Sequence, residues 1–189
     1  MDTICAEAFS SCESLRKVTF QEMSQLESIM EKCFRGSGLE EFIAPPGLKE
    51  IGDEAFKSCK SLKRVVLNEG LTTLPGGFNG VFQWSGLEEI TLPSTLEEIG
   101  NSCFAYTCLT EITLPKTLKE IGCGTFEYCS NFKVVHVEDG CEASLCNAGL
   151  PDSVKIGPPP KTMLGSTRIW DLRKLKDVVI PDGIERIGS

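Results

Sequence analysis

Ten cysteines and one histidine are the residues of this chain whose types could support chemistry. Thiolates and imidazoles form zinc sites and activated nucleophiles, and an even number of cysteines in a short secreted chain forms a disulfide framework. The spacing does not fit a metal or a catalytic site. No Cys-x-x-Cys pair is present, and the thiol nearest to His136 in the sequence is Cys141, five residues on. We therefore predict no metal site, no cofactor and no Cys–His nucleophile.

The cysteines keep fixed positions relative to the phenylalanines. Three come three residues after a phenylalanine and two come directly before one: Cys12, Cys59 and Cys129, then Cys33 and Cys103. We predict free thiols, buried or half-buried, that act as small apolar fillers. The alternative is disulfide bonding in the second half of the chain, among Cys103, Cys108, Cys123 and Cys129.

Two further patterns resemble catalytic or nucleotide-binding motifs. Adjacent glutamates such as Glu88–Glu89 and Glu97–Glu98 look like paired catalytic carboxylates, but neighbouring residues of a strand point to opposite faces and cannot act on one bond. We interpret them as solvated surface. Gly76–Gly77 and Gly122–Gly124 lack the strand, helix and acidic residue of a nucleotide site and therefore predict turns. No enzyme class is indicated.

Net charge and apolar patterning exclude further kinds of partner. The chain has 19 basic and 27 acidic residues, a net charge of -8, which repels phosphate backbones and anionic lipids. No apolar run approaches the roughly 18 residues of a membrane span. Asp2, Glu7 and Glu13 stand where a secretory signal needs a basic start and an apolar stretch. We expect no nucleic-acid partner and no membrane insertion; the sequence as written indicates a cytoplasmic protein, or a cell-surface protein if it is a fragment.

An internal repeat organises the whole chain. Residues 87–100, 109–122 and 175–188 share one frame, Leu-x-x-Ile-x-Leu-Pro-x-x-Leu-x-x-Ile-Gly, with minor substitutions. The apolar residue that closes this frame recurs at a mean interval near 23 residues, at Ile4, Ile29, Ile51, Leu74, Ile99, Ile121, Leu145, Leu164 and Ile187. Repeats of this length indicate a stacked array and not a conventional globular domain.

Each repeat carries two local signals. The Leu-x-x-Ile-x-Leu-Pro part predicts a short strand that the proline ends, and the part after the glycine predicts one helical or 3₁₀ turn. Five residues after most of the closing positions comes a large apolar residue, at Phe9, Phe34, Phe56, Phe104, Phe126, Leu150 and Ile169. Stacking of such units predicts parallel strands side by side and an internal phenylalanine ladder. The fourth repeat departs, with Phe78 and Phe82 around a glycine-rich loop, and residues 145–164 form a degenerate repeat.

The frame is nearly complete over residues 39–59, where it continues as Ile-Gly-x-x-Ala-Phe-x-x-Cys. This pattern resembles the BspA-type leucine-rich repeats of bacterial surface proteins, which are also expanded in some protists. The resemblance implies a curved, non-catalytic solenoid that binds proteins or host surfaces, often within a longer array. We therefore predict an α/β-type leucine-rich-repeat solenoid over residues 1–189, with about eight repeats, parallel strands on the concave face and turns or 3₁₀ segments on the convex side. No capping segment is recognisable at either end, so we expect a longer array and end-to-end self-association.

The predicted function is protein binding by the concave sheet face, without catalysis. Residues at the strand centres and two residues earlier should project from that face in rows. The candidate partner-binding residues are Arg64, Glu89, Thr91, Glu111, Thr113 and His136. The alternatives are a host-binding adhesin fragment of an exported protein and a purely structural spacer. Trp84 and Trp170 lie in predicted turns, where packing is favoured over partner contact.

Overall fold

The computed structural model describes residues 2–158. There the chain forms a parallel-strand β-solenoid of about seven turns. No α-helix or 3₁₀-helix occurs between residues 2 and 158, so the helical part of the predicted α/β class is not found there. The repeat frame at 175–188, the ladder residue Ile169 and Trp170 lie outside the described residues.

Most turns of the solenoid contain two short strands, although the sequence predicts one. The longer strands form what we call the first sheet: β3 (Glu41–Ile43), β5 (Arg64–Val66), β7 (Glu89–Thr91), β9 (Glu111–Leu114), β11 (Val134–Val137) and β12 (Lys155–Gly157). The others form the second sheet: β1 (Asp2–Ile4), β2 (Leu26–Ile29), β4 (Glu50–Ile51), β6 (Thr73–Leu74), β8 (Glu98–Ile99) and β10 (Glu120–Ile121). A proline follows β3, β7 and β9, at Pro45, Pro93 and Pro115, before the turn that leads to the second sheet, whereas Leu67 follows β5 and Glu138 follows β11.

Pairing is parallel throughout both sheets, with one interruption in each. In the first sheet β3, β5 and β7 pair in order, as do β9, β11 and β12; in the second, β1, β2 and β4 pair, as do β6, β8 and β10. The interruption between β4 and β6 has a covalent cause. Gly52 and Gly100 each donate their N–H to the preceding turn, to Ile29 and Leu74 at 2.7 and 2.8 Å. Pro75 occupies the equivalent position and has no N–H to donate.

A ladder of stacked phenylalanine rings fills the interior. Neighbouring rings lie 5.3 to 5.8 Å apart and within 13° of parallel, through Phe9, Phe34, Phe56, Phe82, Phe104 and Phe126. This confirms the phenylalanine members of the predicted ladder and shows that Phe82 supplies its fourth ring, while Leu150 is only partly buried. Phe78 instead lies at the tip of a loop closed by a bridge between Gly76 and Gly80, and its side chain is fully exposed.

The third side of each turn is a run of tight turns where the sequence predicts a helical or 3₁₀ turn. Glu54 and Ser58 have φ values of 57° and 60°, and backbone donors between them alternate in direction. Phe56 donates its N–H to Val81 of the next turn at 3.0 Å, whereas Lys57 donates back to Glu54 at 3.0 Å. The same alternation recurs along the solenoid, so backbone groups are paired without a helix. Apolar residues three to four apart suit both structures, which is why their spacing misled the prediction.

Candidate functional site

The six candidate residues all lie on the outward side of the first sheet. In its strands the central apolar residue is buried, as Ile90, Ile112 and Val135 are, because side chains alternate between the two faces of a strand. The flanking residues face outward, and these include Arg64, Glu89, Thr91, Glu111, Thr113 and His136. We call this surface the first-sheet face.

Strand register sets which of these side chains are neighbours. Arg64 pairs with Glu89 across β5 and β7, and Thr113 pairs with His136 across β9 and β11. The structure therefore brings the six residues together as two groups, separated by the interruption between β7 and β9. Thr91 is the last residue of its strand and not the centre, which shifts the predicted strand by about one residue.

Charged side chains on this face pair mostly with residues one turn away. The Arg64 guanidinium lies between Glu41 at 2.8 Å and Glu89 at 3.7 Å. All three side chains are at least one-third exposed, and exposed pairs contribute only about 0 to 1 kcal/mol each. These contacts orient the side chains more than they stabilise the fold.

His136 is more enclosed than the exposed strand residue that the sequence predicts. Its side chain retains 16% exposure, with Nε2 lying 3.6 Å from Glu111 Oε2. Its Nδ1 lies 3.1 Å from the carbonyl oxygen of Pro158. Both neighbours are hydrogen-bond acceptors, so the ring is held in position between two turns of the solenoid.

Two surface depressions flank the interruption between β7 and β9. One, of about 380 Å³, is lined by backbone and side chains that include Glu88, Glu89, Glu111 and Thr113. The other, of about 290 Å³, is lined by residues that include Thr91 and Thr113. No lysine or arginine lines either depression. The middle of the first-sheet face therefore presents threonines and carboxylates, with cations only at its edges.

The ten cysteines are unpaired, so the alternative of disulfides among Cys103, Cys108, Cys123 and Cys129 is not found. The buried ones act as weak donors as well as fillers, since the Cys59 and Cys129 thiols each lie 3.0 Å from a carbonyl oxygen of the preceding turn. Burial raises the pKa of Cys33 to about 11, which makes it a poor nucleophile at neutral pH. The expectation of burial is wrong for four exposed thiols, Cys5, Cys12, Cys123 and Cys146.

Residues 2–158 contain neither a cluster of metal ligands nor a membrane-spanning helix. Within that range, no three side chains of histidine, cysteine, aspartate or glutamate converge as metal ligands would. The described part of the chain also has no helix that is long and apolar enough to span a bilayer.

Three stacked aromatic rings on the third side, two exposed and one half-buried, were not recognised as a group from the sequence. We call Trp84, Tyr106 and Tyr128 the aromatic ridge. Trp84 stacks on Tyr106 with ring centroids 3.8 Å apart, and Tyr106 on Tyr128 at 4.4 Å. Trp84 is 42% and Tyr128 62% exposed, so the favoured interpretation of Trp84 as a packing residue holds only in part. Their even spacing of 22 residues was the signal available in the sequence.

Comparison with known proteins agrees with this architecture. The model of the BspA type leucine rich repeat region matches residues 1–78 and 78–148, in six copies. No curated protein matches the sequence.

Three solved structures of bacterial proteins are similar to this chain. A leucine-rich repeat protein from Bacteroides ovatus is 23% identical with a TM-score of 0.50, over 83% of this chain and 54% of that one; this likeness concerns the fold alone. A leucine rich cell surface protein from Faecalibacterium prausnitzii is 27% identical with a TM-score of 0.59, over 71% and 36% of the two chains. The leucine-rich repeat protein of T. pallidum is 26% identical with a TM-score of 0.58, over 82% and 66%. This chain thus spans between about a third and two thirds of the length of these structures. With its repeats matched over residues 1–148, the chain belongs to the family of BspA type leucine rich repeat proteins.

Proposed function

We propose that this protein is a non-enzymatic scaffold that holds a protein partner on the first-sheet face. One observation carries the proposal: residues from four neighbouring strands, β5, β7, β9 and β11, project from one side, with β5 in register with β7 and β9 with β11. Such a surface offers a broad area with shallow depressions, which suits contact with a protein better than enclosure of a small molecule. Repeats of this family generally serve protein interaction or occur in surface proteins.

The distribution of charge on the first-sheet face favours a partner that brings a basic group to its middle. Glu89 and Glu111 lie on the strands that flank the interruption, and each pairs with a residue on its far side, Arg64 and His136. Like charges on adjacent strands are destabilising. A lysine or arginine of a partner, placed between the two carboxylates beside Thr91 and Thr113, would offset that repulsion.

The experiment compares two pairs of arginine substitutions. Thr91→Arg with Thr113→Arg fills the middle of the first-sheet face with bulk and positive charge, and leaves the phenylalanine ladder intact. The control is Glu98→Arg with Glu120→Arg, at two exposed positions paired across the second sheet. It changes the net charge more than the threonine substitutions do, because each replaces a negative charge with a positive one. We expect proteins retained by the immobilised wild-type chain to be lost by the first pair and kept by the control. Equal retention by both variants, or retention of nothing by the wild type, would contradict the proposal.

A second candidate function is adhesion by an exported surface protein that includes this chain. The supporting observation is the 27% identity to a protein from Faecalibacterium prausnitzii that is described as a cell surface protein. Surface biotinylation of intact cells that produce the full-length protein tests it, since labelling before lysis requires an external location. Labelling only after lysis would count against adhesion and in favour of an internal scaffold.

We also propose that the repeats continue after residue 158, because residues 175–188 match the frame of the earlier turns. If the repeats do continue, removal of residues 159–189 should lower the melting temperature of the remaining solenoid, since each repeat of a stacked array stabilises its neighbour. An unchanged melting temperature would oppose this continuation.

A further inference from the structure

The fold does not require aromatic residues at the positions of the ridge. Trp84, Tyr106 and Tyr128 occupy one position in three consecutive turns. In earlier turns, the same position holds Ser11, Gly36 and Ser58. Serine and glycine therefore satisfy the backbone there, and large rings serve some purpose other than closing the turn.

The rings also occupy an unfavourable backbone conformation. Trp84, Tyr106 and Tyr128 have φ values of 63°, 59° and 57°, in the left-handed region that bulky residues rarely adopt. Gly36 accepts this conformation without strain. Aromatic residues at this strained position in three consecutive turns, with Trp84 and Tyr128 exposed to solvent, are the kind of departure that points to a functional surface.

The ridge presents the edges of its rings and not their faces. Trp84 and Tyr106 stack within 9° of parallel, and Tyr106 and Tyr128 within 19°. The Lys60 ammonium lies over the Trp84 ring, 5.4 Å from its centroid. Among the three rings, only Tyr128 has a face with neither a described ring nor a described ammonium over it. Sugars bind aromatic residues through open faces, so this arrangement disfavours a glycan.

We propose that the aromatic ridge binds a proline-rich protein segment in the polyproline II conformation. The outer rings, Trp84 and Tyr128, lie at most about 8 Å apart. A polyproline II helix repeats every three residues, after about 9.3 Å. Residues i and i+3 of such a segment lie at least about 1 Å further apart than the two outer rings, so they could lie near Trp84 and Tyr128 with Tyr106 between them.

The aromatic ridge and a proline-rich segment have complementary hydrogen-bonding groups. A proline-rich segment has carbonyl acceptors without internal partners and few N–H donors. Indole N–H and phenol O–H groups are the donors that it lacks. Desolvation by burial and the neighbouring Tyr128 raise the pKa of Tyr106, so its hydroxyl stays protonated at neutral pH.

Charge at the two ends of the ridge gives the segment a direction. Lys60 lies at the Trp84 end, and the exposed Glu127 adjoins Tyr128. Neither forms an ion pair with any other residue in the range 2–158. A segment with an acidic residue at one end and a basic residue at the other would pair with both.

The test uses decaproline peptides with one acidic and one basic terminal residue, in both orders, and the emission of Trp84 as the readout. Trp170→Phe makes Trp84 the only tryptophan. The binding variant changes Trp84, Tyr106 and Tyr128 to serine, the residue found at this position in two other turns; it is followed with dye-labelled peptide because it has no tryptophan emission. A glycine–serine peptide of equal length and charge is the peptide control.

We expect the decaproline peptides to shift Trp84 emission, with one order of charges binding more tightly than the other. The triple-serine variant should bind about tenfold more weakly, and Thr91→Arg with Thr113→Arg should bind as the wild type does. No binding of either decaproline peptide at about 1 mM, equal binding of the glycine–serine peptide, or a shift with oligosaccharides alone would overturn the proposal. If the triple-serine variant does not fold, the same peptide titration is carried out with Tyr128→Ser. Unchanged binding of the decaproline peptides by Tyr128→Ser would also contradict the proposal.

Discussion

Two stacks of aromatic rings run along this solenoid, and their comparison separates what the fold needs from what it displays. The phenylalanine ladder is internal; Phe104, for example, is fully buried, with rings on both sides at 5.6 and 5.8 Å. The aromatic ridge is external and more closely spaced, at 3.8 and 4.4 Å. The ladder places one phenylalanine ring in each of six turns, and the ridge places one ring in each of three. Burial, not stacking, therefore distinguishes the ladder as the core.

The residues of the two stacks also differ in backbone conformation. The ladder residues are absent from the set with positive φ, whereas all three ridge residues belong to it. Except for Phe9, the ladder rings are fully buried, whereas a ridge ring is stabilised by stacking and destabilised by its positive φ. Substitutions in the two stacks should accordingly have very different effects on stability.

The largest expected effect is at the centre of the ladder. Phe104→Ala removes a ring that contacts Phe82 and Phe126 and leaves a cavity, so we expect a loss of about 3 to 5 kcal/mol in the free energy of unfolding. Lys116→Ala, on an exposed turn, should change it by less than about 0.5 kcal/mol. Urea titration of both variants measures the difference. Comparable midpoints would mean that the ladder is not the main source of stability.

An intermediate effect is expected from the thiols buried beside the ladder. Burial raises the pKa of Cys33 from 9.0 to about 11 and also raises those of Cys59, Cys103 and Cys129. A thiol with a raised pKa in the folded state stays protonated when the unfolded chain ionises. Its contribution to stability is therefore complete below pH 9 and declines as the pH rises toward 11, by at most about 1.4 kcal/mol per pH unit for each thiol.

Two measurements check the thiols. Melting temperatures should fall between pH 9 and pH 11, and a variant with Cys33→Ala should lose less over that range than the wild type. Alkylation at pH 8 should label the exposed Cys5 and Cys123 quickly and the buried Cys33 slowly. Uniform labelling of all the cysteines in the folded protein would contradict the burial of Cys33.

The repeat frame predicted those parts of the fold in which side-chain pattern and backbone conformation go together. Strands of the first sheet and the phenylalanine ladder follow from apolar residues at fixed intervals. The second sheet was missed because a two-residue strand such as Glu98–Ile99 is too short to show alternation. The third side was mispredicted because positive φ at ordinary residues such as Ser102 leaves no mark on hydrophobic spacing.

The candidate site was predictable in its membership but not in its detail. Alternation along each strand placed Arg64 and Glu111 on one face, as the structure has them. The enclosure of His136 depends on Pro158, which comes from the degenerate turn. Nor could the sequence reveal the interruption between β7 and β9, because nothing in the residues of these strands departs from the frame. The role of the six residues in partner binding, and end-to-end association, remain predictions.

The smallest expected effect is at the middle of the ridge, and it tests the comparison most sharply. Tyr106→Gly removes two stacked contacts, each contributing about 0.5 to 1.5 kcal/mol beyond its buried area. It also relieves a strained φ of 59°, a gain of about 1 to 3 kcal/mol, while glycine adds about 0.4 to 1 kcal/mol of entropy cost from the unfolded chain. These terms offset one another only in part, because the apolar area that the half-buried ring covers is lost as well. The free energy of unfolding should therefore fall by less than the roughly 3 to 5 kcal/mol expected for Phe104→Ala. Tyr106→Phe is the matched control, because it keeps the ring and the strain and should change stability by less than about 0.5 kcal/mol. If Tyr106→Gly destabilised the protein as much as Phe104→Ala, the ridge would be a second structural core. Its aromatic residues would then be explained by stability and would no longer support a binding role.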